Sequence, residues 1–243
     1  MPFRAVLLDF YGTLARATGW GETPESILAE HGYTLDPGLR RQWFDDGFDG
    51  REHLEHSSNR DAYVAWQRDR TVSMLLEADV HPDEVEAIVD RIRHGATGRV
   101  IEAYDEVPAV LTDLRAQGLA LVVCSNWDWD LAEAMDEAGL TDTVDALVSS
   151  AWVGARKPHP RIFAAALAEA GVDPGDALYV GDTWIPDVEG PRAIGMASVY
   201  LQRDGHWPDP GVPHGIGSET GAPVDVGDAH VIADLRGVLD VVA

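Results

Sequence analysis

Basic residues are scarce in this sequence, and cysteines and long apolar runs are scarcer still. The 243 residues contain 18 Lys and Arg against 42 Asp and Glu, which gives a formal net charge of −24 at pH 7. Because such a field repels nucleic acid and anionic membrane surfaces, we expect neither as a partner. The same field opposes an anionic substrate, so a substrate of that kind would require local cations such as a bound metal ion.

The single cysteine, Cys124, excludes an intrachain disulfide. It lies in the apolar run Leu119–Cys124, where we expect a buried side chain. No apolar run reaches the roughly 18 residues of a transmembrane helix, and the run that ends at Asp9 lacks the small-residue cleavage site of a signal peptide. We therefore expect a soluble, cytoplasmic protein. The sequence leaves its oligomeric state open.

Short apolar runs alternate with amphipathic stretches along most of the chain. Between the runs, apolar residues recur with helical spacing and are followed by Gly118, Gly139 and Gly171 as helix ends. This alternation predicts an α/β fold with a doubly wound, parallel, Rossmann-like sheet, in which ligands bind beyond the carboxyl ends of the strands. The runs that suit strands buried on both faces are Arg4–Phe10, Leu119–Cys124, Ala146–Val148, Ala177–Val180, Ala197–Leu201 and, more weakly, His230–Ile232.

One long segment interrupts the alternation. Between about Ala15 and Val100 we find no convincing buried strand, and we interpret residues 16–100 as an inserted α-helical cap domain on a core formed by residues 1–15 and 101–243. Such a cap could close over the strand ends as a lid. Asp204–Asp228, rich in Gly and Pro, is predicted to be a long surface loop before a final strand and helix. The helices predicted in the insert lie at Pro24–His31, around Leu39–Phe44, at Asp61–Glu77 and around Val85–Ile92.

Chemically active residues follow four of the predicted strands. Asp9 stands where the first apolar run stops, and Gly12 permits a tight turn after it. A carboxylate in that place can attack a substrate and form a covalent intermediate. Ser125 and Asn126 end a second strand and can donate hydrogen bonds to an anionic group. Taken alone, each segment is more typical of a helix cap or a turn than of a catalytic site.

The other two segments carry charge. Lys157 precedes a predicted helix, and a lysine held near Asp9 would neutralise charge on the nucleophile and the substrate. Asp182 and Asp187 follow the strand at Ala177–Val180. Two or three oxygen ligands completed by waters suit Mg²⁺, although acidic residues also favour the first turn of a helix.

The order and spacing of these four segments resemble the haloacid dehalogenase-like superfamily, whose members are hydrolases with a cap inserted after the first motif. The resemblance covers nearly the whole chain and implies a covalent aspartyl intermediate. In the phosphatases of the superfamily the fourth motif holds Mg²⁺. The roles that the resemblance implies are Asp9 as nucleophile, Thr13 as the residue that orients it, Ser125 and Asn126 as ligands of the transferred group, Lys157 as the neutralising cation, and Asp9, Asp182, Asp187 and the backbone carbonyl of Tyr11 as metal ligands.

Position 11 departs from the phosphatase pattern. Phosphatases of the superfamily usually carry there a second Asp, which protonates the leaving group, whereas Tyr11 is similar to the residue of the 2-haloacid dehalogenases, whose halide needs no proton. Those dehalogenases lack the paired carboxylates of Asp182 and Asp187 and work without a metal. Without a cation, three converging carboxylates would repel one another. We therefore favour a Mg²⁺-dependent phosphatase of a small phosphorylated metabolite, with a 2-haloacid dehalogenase and a non-catalytic binding protein of this fold as alternatives.

Three further residues are candidates for substrate binding. Five of the eight tryptophans lie near the four motifs, and we predict that Trp127 and Trp184 line the pocket and contact an apolar part of the substrate. Packing beneath the loops would explain them equally well. Arg41, in the insert, has a place loosely similar to the cap arginine with which dehalogenases of this superfamily bind the substrate carboxylate. The alternative for Arg41 is a solvated surface side chain.

Overall fold

A computed structural model describes residues 3–19, 21–44, 49–95, 100–203 and 227–243. The strands are β1 (Ala5–Leu8), β2 (Ala15–Gly19), β3 (Val100–Ala103), β4 (Ala120–Ser125), β5 (Ala146–Ser149), β6 (Ala177–Gly181), β7 (Ala197–Leu201) and β8 (His230–Ile232). The helices are α1 (Pro24–Glu30), α2 (Pro37–Phe44), α3 (Arg60–Glu77), α4 (Pro82–Gly95), α5 (Val107–Ala116), α6 (Leu131–Glu137), α7 (Ser150–Val153), α8 (Pro160–Ala170), α9 (Gly190–Ala193) and α10 (Gly237–Val242). No helix in these ranges is long and apolar enough to cross a membrane.

Six strands form one parallel sheet in the order β5-β4-β1-β6-β7-β8. Strand β1 lies in the interior of the sheet, and its four residues are fully buried. Val6 and Leu8 pack into one hydrophobic cluster with α5, α6 and α10, whereas Ala5 and Leu7 pack into another with α8. Helices therefore cover both faces, and the predicted doubly wound α/β sheet and its six strands are confirmed.

A two-stranded antiparallel ribbon lies outside this sheet. Strand β2 pairs with β3 in the register Ala15↔Ala103 and Ala17↔Ile101. The expectation of no convincing buried strand between about Ala15 and Val100 was therefore wrong at its start, where β2 buries Ala15 and Ala17, whereas β3 begins where that segment ends. The β2 residues Ala-Arg-Ala-Thr-Gly alternate only small apolar side chains with polar ones, which is a weak strand signal, and β3 supplies the partner for their backbone.

The helices between the two ribbon strands have a hydrophobic cluster of their own. Val85, Ile88, Val89 and Ile92 lie on one face of α4 and pack with Met74 of α3. The four predicted helices of this segment are confirmed. The division into a core and a cap remains a prediction, which the ribbon supports because it brings both ends of the inserted segment together. Most of the predicted surface loop, residues 204–226, lies outside the described residues.

Candidate active site

Asp9 follows β1 directly, at the carboxyl edge of the sheet. Its backbone N–H donates to the carbonyl of Val180 in the neighbouring strand at 2.9 Å, which fixes the end of β1 against β6. The chain then turns sharply, because Leu14 and Ala15 both donate to the carbonyl of Phe10. The Asp9 side chain is only 8% exposed. A buried carboxylate is thus held rigidly where the sheet ends.

Two glycines make room for the carboxylates of the fourth motif. Gly12 has a φ of +84°, and a Cβ placed there would collide with the carboxylate of Asp182. At Gly181 a Cβ would collide with the carboxylate of Asp187. Any side chain at either position would displace an acidic group, so both glycines are required by close approach, and Gly12 is required by its backbone conformation as well.

Lys157 lies at the centre of this arrangement, and it is the only lysine among the 243 residues. Its side chain is 2% exposed. The Nζ atom donates to Asp9 Oδ1 at 2.6 Å, to Asp187 Oδ1 at 2.6 Å and to the Tyr179 hydroxyl at 2.8 Å. Burial disfavours the charged ammonium, but the two carboxylates outweigh it and raise the pKa of Lys157 above its usual value. Lys157 is therefore a cation that neutralises two carboxylates.

Three carboxylates meet beside this lysine. Asp9, Asp182 and Asp187 each contribute an oxygen, and these oxygens lie within 4.8 Å of one another. Asp182 Oδ1 accepts from the Thr13 hydroxyl at 3.1 Å, and Asp187 Oδ2 accepts from the backbone N–H of Thr183 at 2.9 Å. Burial, followed by repulsion from Asp9, raises the pKa of Asp182 well above its usual range. The cluster carries more negative charge than Lys157 can offset.

The donor set fits a hard divalent cation. Asp182 Oδ2 is buried and accepts no hydrogen bond from any residue that the structure describes. A buried oxygen without a partner is costly, and this one lies so close to Gly12 that a Cβ there would overlap it. Converging carboxylate oxygens are the ligands that Mg²⁺ prefers. Asp9, Asp182 and Asp187 could therefore hold a metal ion.

Ser125 and Asn126 end β4, next to β1 in the sheet. The Ser125 side chain is 2% exposed. Asn126 Oδ1 accepts from the backbone N–H of Lys157 at 2.6 Å, and its Nδ2 donates to the Lys157 carbonyl at 3.0 Å and to Asp49 Oδ1 at 3.0 Å. In this geometry the Asn126 amide fixes the backbone of Lys157, so its first role is to position the lysine.

The aromatic candidates differ in their surroundings. The Trp127 ring packs edge-on against Phe10 with centroids 5.1 Å apart and lies 6.1 Å from the ring of Tyr11. Trp184 instead donates from its indole nitrogen to Glu189 and packs on Tyr200. Trp127 lines a cavity of about 710 Å³ between the inserted helices and the segment after β4, whereas Trp184 is absent from its lining. The side chain of Arg41 lies outside the described residues.

Three contacts of the site escaped the sequence analysis. The Tyr179 hydroxyl donates to the carbonyl of Cys124 at 2.6 Å while accepting from Lys157. Arg203 donates to the carbonyls of Gly12 and Thr13 and so clamps the turn after Asp9. Asp49 accepts from Asn126 and from Arg156. Only Tyr179 left a signal, because a tyrosine in a buried aliphatic strand requires a partner for its hydroxyl.

Comparison with known proteins agrees with this geometry. Residues 3–195 match the family model described as haloacid dehalogenase-like hydrolase. The chain belongs to this family. The human haloacid dehalogenase-like hydrolase domain-containing protein 3 is 29% identical over 213 residues, which cover 83% of this chain and 82% of the human protein. The family assignment makes the protein a hydrolase.

Relatives whose names state an activity are more distant or match a shorter part of the chain. The phosphoserine phosphatase of Thermus thermophilus is 40% identical over 101 residues, 41% of each chain. Solved phosphatases and dehalogenases both share the fold of this chain. A predicted phosphoglycolate phosphatase from Haemophilus somnus 129pt superposes with a TM-score of 0.68 at 18% identity, covering 99% of this chain and 98% of that chain. These likenesses establish the fold and leave the substrate open.

Proposed function

We propose that this hydrolase is a Mg²⁺-dependent phosphatase of a small phosphorylated metabolite. The observation that carries the proposal is the convergence of three buried carboxylates, among which Asp182 Oδ2 accepts no hydrogen bond from the described residues. When all three are ionised, three negative charges and the one positive charge of Lys157 leave a net charge of −2. A divalent cation would neutralise that charge, and the trianionic centre is a poor host for a substrate carboxylate.

Asp9 is the proposed nucleophile. Because Lys157 holds Oδ1 at 2.6 Å, the other carboxylate oxygen is the one that attacks phosphorus. The new oxygen–phosphorus bond forms as the bond to the leaving oxygen breaks, which gives an aspartyl phosphate and an alkoxide that takes up a proton. Water then attacks the phosphorus, and inorganic phosphate leaves with Asp9 restored.

The remaining residues bind and position the reacting groups. The Ser125 hydroxyl is proposed to donate a hydrogen bond to the phosphoryl group, and the Thr13 hydroxyl holds Asp182 in place by donating to its carboxylate. Lys157 offsets the negative charge that develops between Asp9 and the phosphoryl oxygens. Asp9, Asp182, Asp187 and the backbone carbonyl of Tyr11 would hold Mg²⁺, which when bound supplies further positive charge to the phosphoryl oxygens.

Tyr11 occupies the position from which the leaving group would be protonated. Its hydroxyl is buried, and its ring packs beside Trp127. A phenol with a reference pKa near 10 protonates a leaving group less readily than a carboxylic acid tuned near neutrality. We therefore expect the enzyme to prefer substrates whose leaving oxygen departs without being protonated, such as phosphate esters of phenols or of other acidic alcohols.

Tyr11 also favours the second candidate, a 2-haloacid dehalogenase. In that reaction the Asp9 carboxylate would attack the carbon that bears the halogen, and halide would leave without a proton. The two candidates make opposite demands on the metal site, since only the phosphatase gains from a cation among Asp9, Asp182 and Asp187.

One experiment separates the two candidates. Purified protein is incubated with a panel of phosphomonoesters, and separately with 2-chloropropionate, each in Mg²⁺ and in EDTA. The phosphatase releases inorganic phosphate in Mg²⁺ and loses this activity in EDTA, in Asp9→Asn and in Asp182→Asn, while the exposed control Asp136→Asn stays active. Absence of phosphate release from every ester in Mg²⁺ would overturn the proposal, and chloride release that persists in EDTA would establish the dehalogenase.

A further inference from the structure

The cavity of about 710 Å³ adjoins the active site on the side of the inserted helices. Its floor comes from the segment after β4, and three of its lining residues connect it to the chemistry. Arg156 precedes Lys157 in the chain, Asn126 bonds to the backbone of Lys157, and Trp127 packs beside Tyr11. Asp9 itself does not line the cavity. Because these three residues lie between the cavity and the groups around Asp9, a molecule with its phosphoryl group at Asp9 would place its other end in this cavity.

The charge of the lining differs from that of the protein. Four arginines and three acidic residues line the cavity, in a protein whose formal net charge is −24. Each acid already has a partner: Glu22 accepts from Arg91, Asp128 accepts from the Tyr63 hydroxyl at 2.6 Å, and Asp130 accepts from the Trp127 indole at 3.1 Å. Four positive and three negative lining side chains give the wall a formal charge of +1, so it opposes an anionic ligand far less than the rest of this acidic protein does.

One of the four arginines stands apart. Arg60 pairs with Glu133, Arg156 pairs with Asp49, and Arg70 donates to the Gln67 amide oxygen and to the Trp43 carbonyl. Arg93, on α4, is half-buried and makes no ion pair or hydrogen bond with any of the described residues. An arginine on a cavity wall in an acidic protein, without a carboxylate partner among those residues, has donors available for a ligand anion.

The cavity also presents flat apolar surfaces. Trp43, on α2, and Trp129, after β4, are half-buried, and both line the cavity. The Trp129 ring lies 5.9 Å from that of Tyr63, at an interplanar angle of 45°. Partly exposed indole rings around a cavity offer stacking to a planar group.

From this combination we infer that the cavity binds the leaving group of the substrate, and that this group contains a planar ring bearing a second anion, a carboxylate or a phosphate. Arg93 pairs with that anion, and Trp129 stacks on the ring. The inference rests on the proposed phosphatase function and adds the substrate class. It also agrees with Tyr11, since a ring oxygen is a leaving group that needs little protonation.

The test uses four phosphomonoesters that separate the two features. Phenyl phosphate offers the ring alone, phosphoglycolate the carboxylate alone, 4-carboxyphenyl phosphate both, and glycerol 2-phosphate neither. We expect the lowest KM for 4-carboxyphenyl phosphate. Arg93→Gln should raise that KM about 10- to 100-fold, the usual effect of losing a charge-assisted hydrogen bond, and leave the KM for phenyl phosphate unchanged. Trp129→Leu should raise the KM for both aromatic esters.

The matched control is Arg68→Gln on α3, which removes an arginine that pairs with Glu86 and does not line the cavity. If Arg93→Gln and Arg68→Gln give the same KM for 4-carboxyphenyl phosphate, the assignment of Arg93 is overturned. If phosphoglycolate has a lower KM than 4-carboxyphenyl phosphate, the inference that the leaving group contains a planar ring is overturned.

Binding of the product analogue 4-hydroxybenzoate, followed by tryptophan fluorescence, separates this inference from the phosphatase proposal. Saturable binding that weakens in Arg93→Gln supports the cavity assignment even if no ester is hydrolysed, in which case only the proposed function fails. Phosphate release without any binding of 4-hydroxybenzoate would overturn the cavity assignment and leave the phosphatase in place.

Discussion

Replacing Lys157 by Met should lower the stability of the fold more than any other single substitution in the site. Methionine fills a similar volume but leaves Asp9 and Asp187 without the ammonium that lies 2.6 Å from each. Removing one partner of a buried ion pair typically costs about 3–5 kcal/mol of folding stability, because the other partner is left as an uncompensated buried charge. Tyr179 also loses its donor, although it still donates to Cys124.

That loss of folding stability can be converted into a shift of the melting temperature. A domain of 150–250 residues shifts by about 2–4 °C for each kcal/mol, so Lys157→Met in EDTA should melt roughly 6–20 °C below the parent. The penalty should grow from about pH 5 to pH 8, because carboxylates without their ammonium take up protons at the lower pH and are forced to ionise at the higher one. Mg²⁺ should recover part of the loss by supplying the missing positive charge.

The matched control is an exposed ion pair. Arg115 lies 3.1 Å from Asp145, and their side chains are 45% and 49% exposed. Exposed pairs contribute at most about 1 kcal/mol, so Arg115→Gln should melt within about 4 °C of the parent. Thermal denaturation in EDTA, followed by circular dichroism, compares the variants. If Lys157→Met melts no lower than Arg115→Gln, the reasoning that Lys157 compensates buried charge is refuted.

Three further substitutions test other parts of the site. Tyr11→Asp should raise kcat for alkyl phosphates by up to about 10²–10⁴-fold by installing a general acid, and leave 4-nitrophenyl phosphate nearly unchanged; equal effects on both would contradict the role assigned to position 11. Gly12→Ala should abolish stabilisation of the fold by Mg²⁺, since the new methyl group displaces Asp182, and an unaltered melting shift with Mg²⁺ would show that the space is not needed. Burial, followed by Arg156 and Arg70, lowers the pKa of His53 to about 4. Its unfolded value is near 6.5, so the parent loses stability as the pH falls from about 6.5 towards 4. His53→Phe should lose less between pH 7 and pH 5 in urea denaturation, and equal losses would count against burial of the neutral imidazole.

The sheet could be predicted because its strands are buried on both faces. In β1 every residue from Ala5 to Leu8 has 0% exposure, so the strand appears in the sequence as an unbroken apolar run. Once the strands are parallel, their carboxyl ends share an edge. The motifs at Asp9, Ser125 and Asp182 must then lie near one another, which is why most of the candidate site followed from the sequence.

The rest depends on partners distant in the chain. Strand β2 exists because β3 pairs with it, more than 80 residues later, and no local pattern encodes that pairing. Asp49 contacts Asn126 from a sequence separation of 77, and Arg203 reaches Gly12 across 191. Such contacts are set by tertiary packing, and no residue pattern near Asp49 or Arg203 indicates them.

The solitary lysine has a practical consequence. Because Lys157 is the only lysine in the 243 residues, protein grown with ¹⁵N-labelled lysine would show a single side-chain ammonium signal, and that signal would come from the catalytic centre. Its chemical shift would test the proposed metal binding, substrate entry and phosphorylation of Asp9, without mutation and without an attached probe. Amine-directed reagents would likewise find no lysine elsewhere, so the rate at which they modify Lys157 would measure how often the site opens to solvent.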